Sequence, residues 1–133
     1  MAGYSGTPLV KKLGIKPAST LALLSAPDGF ARQLVGLPKD VRLSVRAAGT
    51  PDLVVWFVTS RRDLESRVAT IAELMQSGLW IAWPKKASGL KSDLREDLVR
   101  SAGLAHGLVD YKVCAIDDTW SGLKFARRRR LRE

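Results

Sequence analysis

The apolar residues of this chain fall into short blocks separated by turn residues. Three blocks indicate buried strands: 21–24, 53–58 and 79–83. The block 53–58, "LVVWFV", contains no polar residue, which is typical of a strand covered on both faces in a parallel sheet. In "VRLSVRA", Val41, Leu43 and Val45 alternate with polar residues. This alternation predicts a strand near a sheet edge, with one apolar face and one exposed face.

Two longer segments have the periodicity of amphipathic helices. The first follows Ser60, which stands three residues before Asp63 as in a capping box, and Gly78 is expected to end it. Its apolar positions share one face: Leu64, Val68, Ile71, Met75. The second helix, "SDLREDLVRSAG", is predicted to begin at Ser92 and to end at Gly103.

The remaining segments are shorter or less regular. Residues 1–18 contain three glycines and two prolines, which predicts an irregular arm. Residues 29–36 indicate a short helix with Phe30 and Leu34 on one face. "VDYKVCAI" and "LKFARR" predict a terminal hairpin closed by the six-residue loop "DDTWSG".

This order of elements predicts a three-layer α/β fold. Strands separated by helical crossovers favour a mostly parallel sheet, and the final hairpin adds antiparallel strands near one edge. We therefore predict one α/β domain over residues 19–126, between the arm 1–18 and a basic tail, 127–133.

Composition and charge narrow the classes of function. Apolar residues make up 46% of the chain, too many for a disordered protein. No apolar run approaches the ~20 residues of a membrane helix, and no secretory signal is evident, so we expect a cytoplasmic protein without membrane contact. The net charge is +9, with six positive charges and one negative charge in residues 124–133. Such a balance favours an anionic partner, although a solvated tail is an equally open interpretation.

Two segments resemble a shortened class I methyltransferase, a Rossmann-like fold. "LGIKPASTLALLSAPDG" lies where these enzymes have a glycine-rich turn that holds S-adenosylmethionine, and "PDLVVWFVTS" resembles their central strand. The resemblance does not extend to the cofactor motif. The first turn has only Gly29, and the second strand leads into Arg46 instead of an acidic residue. We therefore expect no S-adenosylmethionine or NAD in the usual position, no resident cofactor, and a binding domain more than an enzyme.

Longer motifs are similar to a small bacterial family defined as domain of unknown function 3052. They cover nearly the whole chain: "GYSGTPLVKKLGIKP", "WPKKASG" and "VDYKVCAIDDTWSGLKFARRR". This resemblance implies a compact, single-domain bacterial protein. It implies no activity, cofactor or catalytic residue, so no site is carried over from it.

Few residues could carry catalysis. The chain has one histidine, His106, and one cysteine, Cys114, which would have to converge to form a nucleophilic pair. A zinc site lacks ligands. The adjacent Asp117 and Asp118 suit a turn, and a magnesium site is the alternative. We therefore predict no catalytic residue and no metal site.

The best candidate site is a basic rim. Ligands of open α/β sheets bind beyond the carboxyl ends of the strands, where three turns should meet: Ala26–Gly29, Thr59–Arg62 and Pro84–Ser92. Two of these turns lead into helix N-termini, which attract anions. The predicted anion-binding residues are Ser60, Arg61, Arg62, Lys85, Lys86, Ser88, Gly89 and Lys91. Solvated turn residues with simple capping roles are the alternative.

A second candidate contact combines Trp120 with the basic tail. An exposed Trp120 could stack on a base or anchor a protein partner, and it could equally fold back over the sheet edge. The tail supplies Arg127, Arg128, Arg129 and Arg130. The leading hypothesis is an α/β domain that binds nucleic acid or a phosphorylated ligand. The alternatives are a divergent methyltransferase-like enzyme or sensor of small molecules, and a protein-interaction subunit.

Overall fold

The computed structural model describes residues 8–46 and 49–128, in which six strands form a single sheet. The strands are β1 (Thr20–Leu24), β2 (Arg42–Ser44), β3 (Leu53–Phe57), β4 (Gly78–Pro84), β5 (Leu108–Ala115) and β6 (Trp120–Arg127). Their order across the sheet is β2-β1-β3-β4-β6-β5. The first four strands are parallel, whereas β6 runs antiparallel to both β4 and β5. The predicted mostly parallel sheet with a terminal antiparallel hairpin is confirmed.

Helices cover both faces of this sheet. They are α1 (Leu9–Leu13), α2 (Arg61–Leu74) and α3 (Glu96–Leu104), with short 3-10 helices at Phe30–Gln33 and Lys86–Ser88. Side chains of α2 and α3 share one hydrophobic cluster with the sheet, and those of α1 and the first 3-10 helix share the other. The three-layer architecture is therefore confirmed. Within the described ranges, no helix combines the length and the apolar character that crossing a membrane requires.

The two central strands, β3 and β4, form the interior of the sheet. Every residue of both strands is buried, as their uninterrupted apolar runs predict. Trp80 packs into the cluster on the α1 side, and Trp83 into the cluster on the α2 side. Opposite parity in a strand places them on opposite faces, so both tryptophans are accounted for by the core.

The segment 8–18 is more ordered than the predicted irregular arm. Three buried side chains of α1 join the core: Leu9, Val10, Leu13. The helix begins after Pro8 and ends at Gly14, which has a left-handed conformation with φ 78°. A proline before the first turn and a glycine after the last turn are common helix boundaries. These two residues therefore delimit a helix instead of interrupting a loop. Residues 1–7 lie outside the described residues.

Two glycines predicted to end helices have other roles. α2 ends at Leu74, and Gly78 begins β4, where an added Cβ would lie 3.3 Å from Leu53 Cδ1. Gly103 lies inside α3, where a Cβ would collide with the ring of Phe125. Both cap predictions are wrong. Neither glycine forms a left-handed turn, and each is required because another part of the chain packs closely against it.

The edge strand β2 has the predicted position but lacks the predicted burial. It lies at the end of the sheet, beside β1 alone. Val41 packs against the core, but Leu43 is 43% exposed and Val45 is 74% exposed, so the predicted apolar face is wrong at these two residues. A three-residue edge strand with one neighbouring strand offers these side chains little surface for packing.

The terminal hairpin has a tighter loop than predicted. Residues 116–119 join β5 to β6, because Trp120 already pairs with Pro84 of β4 and belongs to β6. β6 inserts between β4 and β5, which leaves β5 as the antiparallel edge of the sheet. The edge position of one hairpin strand is therefore confirmed, and the six-residue loop is wrong.

Candidate functional site

The three turns of the predicted rim meet at one edge of the sheet. They follow β1, β3 and β4, which are adjacent and parallel, so their carboxyl ends point the same way. This is the edge at which open α/β sheets bind ligands. The predicted adjacency of the turns is confirmed. The local contacts of the predicted side chains determine which of them share a site.

The N-terminus of α2 is occupied by acceptors of the chain itself. Ser60 Oγ accepts a hydrogen bond from Asp63 N at 3.1 Å, as predicted for a capping residue. Asp93 Oδ1 accepts a hydrogen bond from Arg61 N at 2.7 Å. A carboxylate therefore already fills the position that favours an anion. Arg61 Nε pairs with Glu65 Oε2 at 2.9 Å, so the structure does not support an open anion site at Ser60 and Arg61.

Backbone and hydroxyl contacts hold the turn after β4. Lys85 N donates to Thr119 O at 2.7 Å, which joins the turn to the hairpin loop. Ser88 Oγ accepts a hydrogen bond from Leu90 N at 3.1 Å. Gly89, between Ser88 and Leu90, has a left-handed conformation with φ 84°, which a glycine adopts without strain. Ser88 and Gly89 therefore shape this turn, and their described contacts are local.

Helix α3 begins later than the sequence predicts. Ser92 Oγ accepts a hydrogen bond from Leu94 N at 3.1 Å within the turn, so it does not cap the helix. The N-cap residue is Arg95, whose side chain makes no capping hydrogen bond. The first helical residue is Glu96, and residues 92–95 form the approach to the helix.

A cleft of about 490 Å³ opens between this approach, the end of β4 and the start of β6. Lys85 and Lys86 line it, and neither side chain makes an ion pair or hydrogen bond within the described part of the chain. Its two carboxylates are engaged elsewhere: Asp93 accepts from Arg61 N, and Glu96 pairs with Arg100 at 2.6 Å. The cleft therefore holds two lysines without an acidic partner.

Only part of the predicted rim converges on this cleft. Lys85 and Lys86 line it, and the other predicted anion-binding residues do not: Ser60, Arg61, Arg62, Ser88, Gly89, Lys91. Arg61 instead borders a separate groove between α2 and α3. The sequence places the turns correctly, but it does not show which of their side chains point into the same space.

An aromatic row fills the carboxyl edge on the α1 face of the sheet. Phe30 meets Phe57 edge to face, with ring centroids 4.7 Å apart, and Phe57 meets Trp120 at 5.0 Å. All three are buried. Phe30 directly follows the turn at which class I methyltransferases, which the sequence resembles, are expected to carry their glycine-rich motif. Here that turn leads into a 3-10 helix of four residues, and aromatic side chains occupy the space beside it.

Trp120 belongs to this row and is not an exposed loop residue. It is 6% exposed and lies in β6. Of the two alternatives left open by the sequence, the structure has the one in which the ring folds back onto the sheet. Stacking on a base and anchoring a protein partner both require an exposed ring, so Trp120 supports neither role in this conformation.

His106 and Cys114 lie at opposite ends of β5. His106 lies in the turn between α3 and β5, with Nδ1 3.0 Å from Ala102 O. Cys114 lies near the far end of β5, and six strand steps from Leu108 span roughly 20 Å. Burial raises the pKa of the Cys114 thiol against the opposing effect of nearby lysines, which disfavours the nucleophilic thiolate. The pair does not form a catalytic centre.

The two adjacent aspartates have the predicted turn role. Asp117 Oδ1 accepts hydrogen bonds from Thr119 N and Trp120 N, both at 2.8 Å, and so organises the hairpin loop. Asp118 is exposed. No cluster of three or more histidine, cysteine or acidic residues occurs among residues 8–46 and 49–128.

The first arginines of the predicted tail are part of the folded domain. Arg127 Nη2 donates to Met75 O at 2.8 Å and to Glu73 O at 3.2 Å, at the C-terminal end of α2. Arg128 Nη2 makes a longer contact of 3.4 Å with Leu104 O, the last residue of α3. Both cations therefore stabilise helix ends whose carbonyl groups are negative. Arg129 and Arg130 lie outside the described residues.

A cluster of lysines around the end of α1 was not predicted from the sequence. Lys112 Nζ donates to Lys12 O at 3.1 Å, and Lys124 Nζ donates to Leu13 O at 3.3 Å. Trp80 Nε1 also donates to Leu13 O, at 2.9 Å. These contacts join residues about 70 to 110 positions apart, and no local pattern in the sequence signals them.

Comparison with known proteins identifies the fold and no closer relative. No protein-family model and no curated protein matches the sequence. Among solved structures, magnesium protoporphyrin IX methyltransferase from Synechocystis PCC 6803 with bound SAM has a TM-score of 0.58 at 10% identity, covering 90% of this chain and 74% of that chain. A SAM-dependent methyltransferase from Aquifex aeolicus has a TM-score of 0.58 at 11% identity, with coverage of 88% and 86%. The ribosomal protein L11 methylase from Lactobacillus delbrueckii subsp. bulgaricus has 0.56 at 12% identity, with coverage of 91% and 76%.

These similarities establish a methyltransferase-like Rossmann fold. Identities near one in ten carry the fold alone, so the resemblance in topology is confirmed, and activity has to be argued from this chain's own residues.

Proposed function

We propose that this chain is a binding domain that holds a phosphate-bearing anionic ligand in the cleft beside Lys85 and Lys86. One observation carries the proposal. The cleft lies at the carboxyl edge of the sheet, and these two lysines lack acidic partners there. The proposal keeps the expectation from the sequence that this is a cytoplasmic bacterial protein similar to domain of unknown function 3052.

The size and chemistry of the cleft support a small or extended phosphate ligand. A volume of about 490 Å³ lies within the range of small-molecule sites. Two ammonium groups can neutralise a phosphate, and Ser121 lies beside them in the same wall. A phosphorylated small molecule and a nucleic-acid backbone both carry phosphate groups that could bind here. They differ in the length of protein surface that they would contact.

The positions of the cleft and the tail favour a small ligand over nucleic acid. The cleft lies beside the start of β6, whereas the tail follows its end at Arg127. Seven strand steps separate the two by roughly 23 Å. A nucleic acid would have to pass along the side of the sheet to contact both, while a phosphorylated small molecule needs only the cleft.

A charge-reversal pair tests the proposal. We expect Lys85→Glu with Lys86→Glu to weaken binding of nucleoside phosphates at the cleft by about tenfold or more, seen as the loss of one class of sites, and to lower the salt dependence of binding there because charged contacts are lost. The control is Arg32→Glu with Lys39→Glu, which makes the same change of charge at two exposed residues outside the cleft. Isothermal titration calorimetry at two salt concentrations measures both effects. Equal weakening in the two double variants would contradict a site at the cleft.

A truncation after residue 128 separates nucleic acid from a small ligand. It retains Arg127 and Arg128, which hold helix ends, and removes the remaining basic residues. If the ligand is a phosphorylated small molecule, affinity for nucleoside phosphates is unchanged by the truncation. A single-stranded oligonucleotide that loses affinity on both the truncation and the Lys85–Lys86 reversal identifies nucleic acid as the ligand.

The second candidate function is a divergent methyltransferase-like enzyme or sensor. Its support is the fold, which this chain shares with a methyltransferase solved with bound SAM. The buried row of Phe30, Phe57 and Trp120 opposes it. Thermal denaturation with S-adenosylmethionine or S-adenosylhomocysteine distinguishes the candidates. We expect no shift at millimolar concentrations, whereas a rise of several degrees would favour the enzyme or sensor.

A further inference from the structure

A second cavity lies at the opposite end of the sheet. It has a volume of about 450 Å³ and opens beside the starts of β1 and β4. Lys16, Ser19, Ser77, Tyr111 and Lys124 contribute to its wall. None of these residues belongs to the cleft at the carboxyl edge.

Two glycines make room for Lys124 at this cavity. A Cβ on Gly14 would lie 2.8 Å from Lys124 Nζ, and a Cβ on Gly78 would lie 3.1 Å from Lys124 Cε. Both values are shorter than ordinary contacts, so the backbone at two distant positions leaves a channel for one lysine side chain. The side chain of Lys124 therefore runs past both glycines and is half-buried, unlike a freely solvated surface lysine.

The ammonium group of Lys124 has few acceptors. It lies 5.7 Å from the ring centroid of Trp80 and 5.8 Å from that of Tyr111, and it donates to Leu13 O, which Trp80 Nε1 also uses. An ammonium group has three N–H bonds. Within the described ranges it has no other hydrogen bond and no ion pair.

The charges around Lys124 are mostly positive. Burial, and then Lys112 and Lys16, lower the pKa of Lys124. Among the described residues, Asp52 is the only carboxylate in the cavity wall, and its Oδ2 accepts a hydrogen bond from Thr20 N at 2.9 Å. An anion in the cavity would therefore relieve repulsion between lysines that no acidic side chain of the described chain relieves.

We infer that this cavity binds a small phosphomonoester of the nucleoside monophosphate class, with its phosphate between Lys16 and Lys124. Tyr111 forms part of the wall and is 57% exposed, so its ring offers a face on which a base stacks. The volume suits a ligand of this size. The inference is independent of the Lys85–Lys86 cleft, because the two sites share no residue.

Titration with AMP, inorganic phosphate and adenosine tests this inference. We expect AMP to bind the protein at millimolar concentration or tighter, phosphate to bind more weakly, and adenosine to bind weakest. In the Lys85→Glu, Lys86→Glu background, where the cleft does not contribute, Lys124→Met keeps the aliphatic stem, removes the charge and should weaken AMP binding about tenfold or more. Lys91→Met, at an exposed lysine outside both cavities, should leave it within about twofold.

Two further measurements separate this site from the cleft and from a purely structural role of Lys124. Tyr111→Leu should weaken AMP but not phosphate, and Lys85→Glu with Lys86→Glu should leave AMP binding at this cavity intact. NMR shift mapping on the unaltered protein keeps the test valid if Lys124→Met does not fold. Shifts at Lys16, Ser19 and Tyr111 support the inference. Shifts confined to the Lys85–Lys86 cleft, or no saturable shift at all, would overturn it.

Discussion

The two edges of the sheet use charge in opposite ways. At the carboxyl edge α2 begins, and the chain places the carboxylate of Asp93 on the free N–H group of Arg61. At the amino edge α2 and α3 end, and Arg127 and Arg128 donate to their last carbonyl groups. Both arrangements satisfy helix ends with side chains of the opposite sign.

This difference shows how charge becomes available for a ligand. The tail arginines contribute to the net charge of +9, yet the two that are described already stabilise helix ends. Lys85 and Lys86 lie at the edge where acidic residues serve the helices, and they remain without an acidic partner there. A basic residue is therefore a better candidate for ligand binding where it does not already stabilise the end of a helix.

The largest effect is expected from removing Arg127 at the amino edge. Arg127→Met retains the aliphatic stem and loses two hydrogen bonds to the end of α2, which should lower the free energy of unfolding by about 1–2 kcal/mol. Arg128→Met is the matched control, because it loses one longer contact and should cost about 0.5 kcal/mol or less. Urea denaturation measures both values. Equal losses would remove the capping role assigned to Arg127.

A smaller effect is expected at the carboxyl edge. Asp93→Ala removes an acceptor from the first turn of α2 and should cost about 1 kcal/mol, while Asp93→Asn keeps an acceptor and should cost less. Asp118→Ala is the control, because Asp118 is exposed and has no described hydrogen bond; its cost should stay within about 0.5 kcal/mol. If Asp93→Ala lowers the free energy of unfolding no more than Asp118→Ala does, then Asp93 does not stabilise the N-terminus of α2 at the carboxyl edge.

The smallest effect concerns the pH dependence contributed by Lys124. Its pKa is lowered in the folded protein, so between that pKa and the ordinary value of 10.5 the unfolded chain binds more protons. Stability contributed by this group therefore rises with pH across that window. We expect the free energy of unfolding of the protein that retains Lys124, minus that of Lys124→Met, to increase as the pH rises from the lowered pKa toward 10.5. Tyr111 titrates in both proteins, so the subtraction largely cancels its contribution; Cys114 and Lys124 shift each other's pKa, so both proteins carry Cys114→Ser. A flat or falling difference would contradict the lowered pKa.

Much of the fold could be predicted because its signals are local. An apolar run without polar residues indicates β3, and Ser60 lies at the N-cap position of α2. The same local patterns misled at Gly78 and Gly103. Each glycine makes room for a side chain distant in sequence, such as Phe125 near Gly103, and no short window contains that information.

The candidate site was only partly predictable for the same reason. The sequence locates the turns of the rim, and Lys85 and Lys86 among them. It does not reveal that Asp93, 32 residues away, occupies the N-terminus of α2. Nor does it indicate that Trp120 packs against Phe57 instead of facing solvent.

The insertion of β6 between β4 and β5 has a consequence for folding. β6 follows β5 in the chain, yet among the described strands β6 is the only one that pairs with β5. The sheet therefore cannot grow strand by strand in the order of synthesis. Before β6 pairs with it, β5 has both of its edges unpaired; in the complete sheet β5 is still an edge strand, with Val109 39% and Val113 55% exposed. Closure of this last hairpin is thus the step that joins β5 to the sheet.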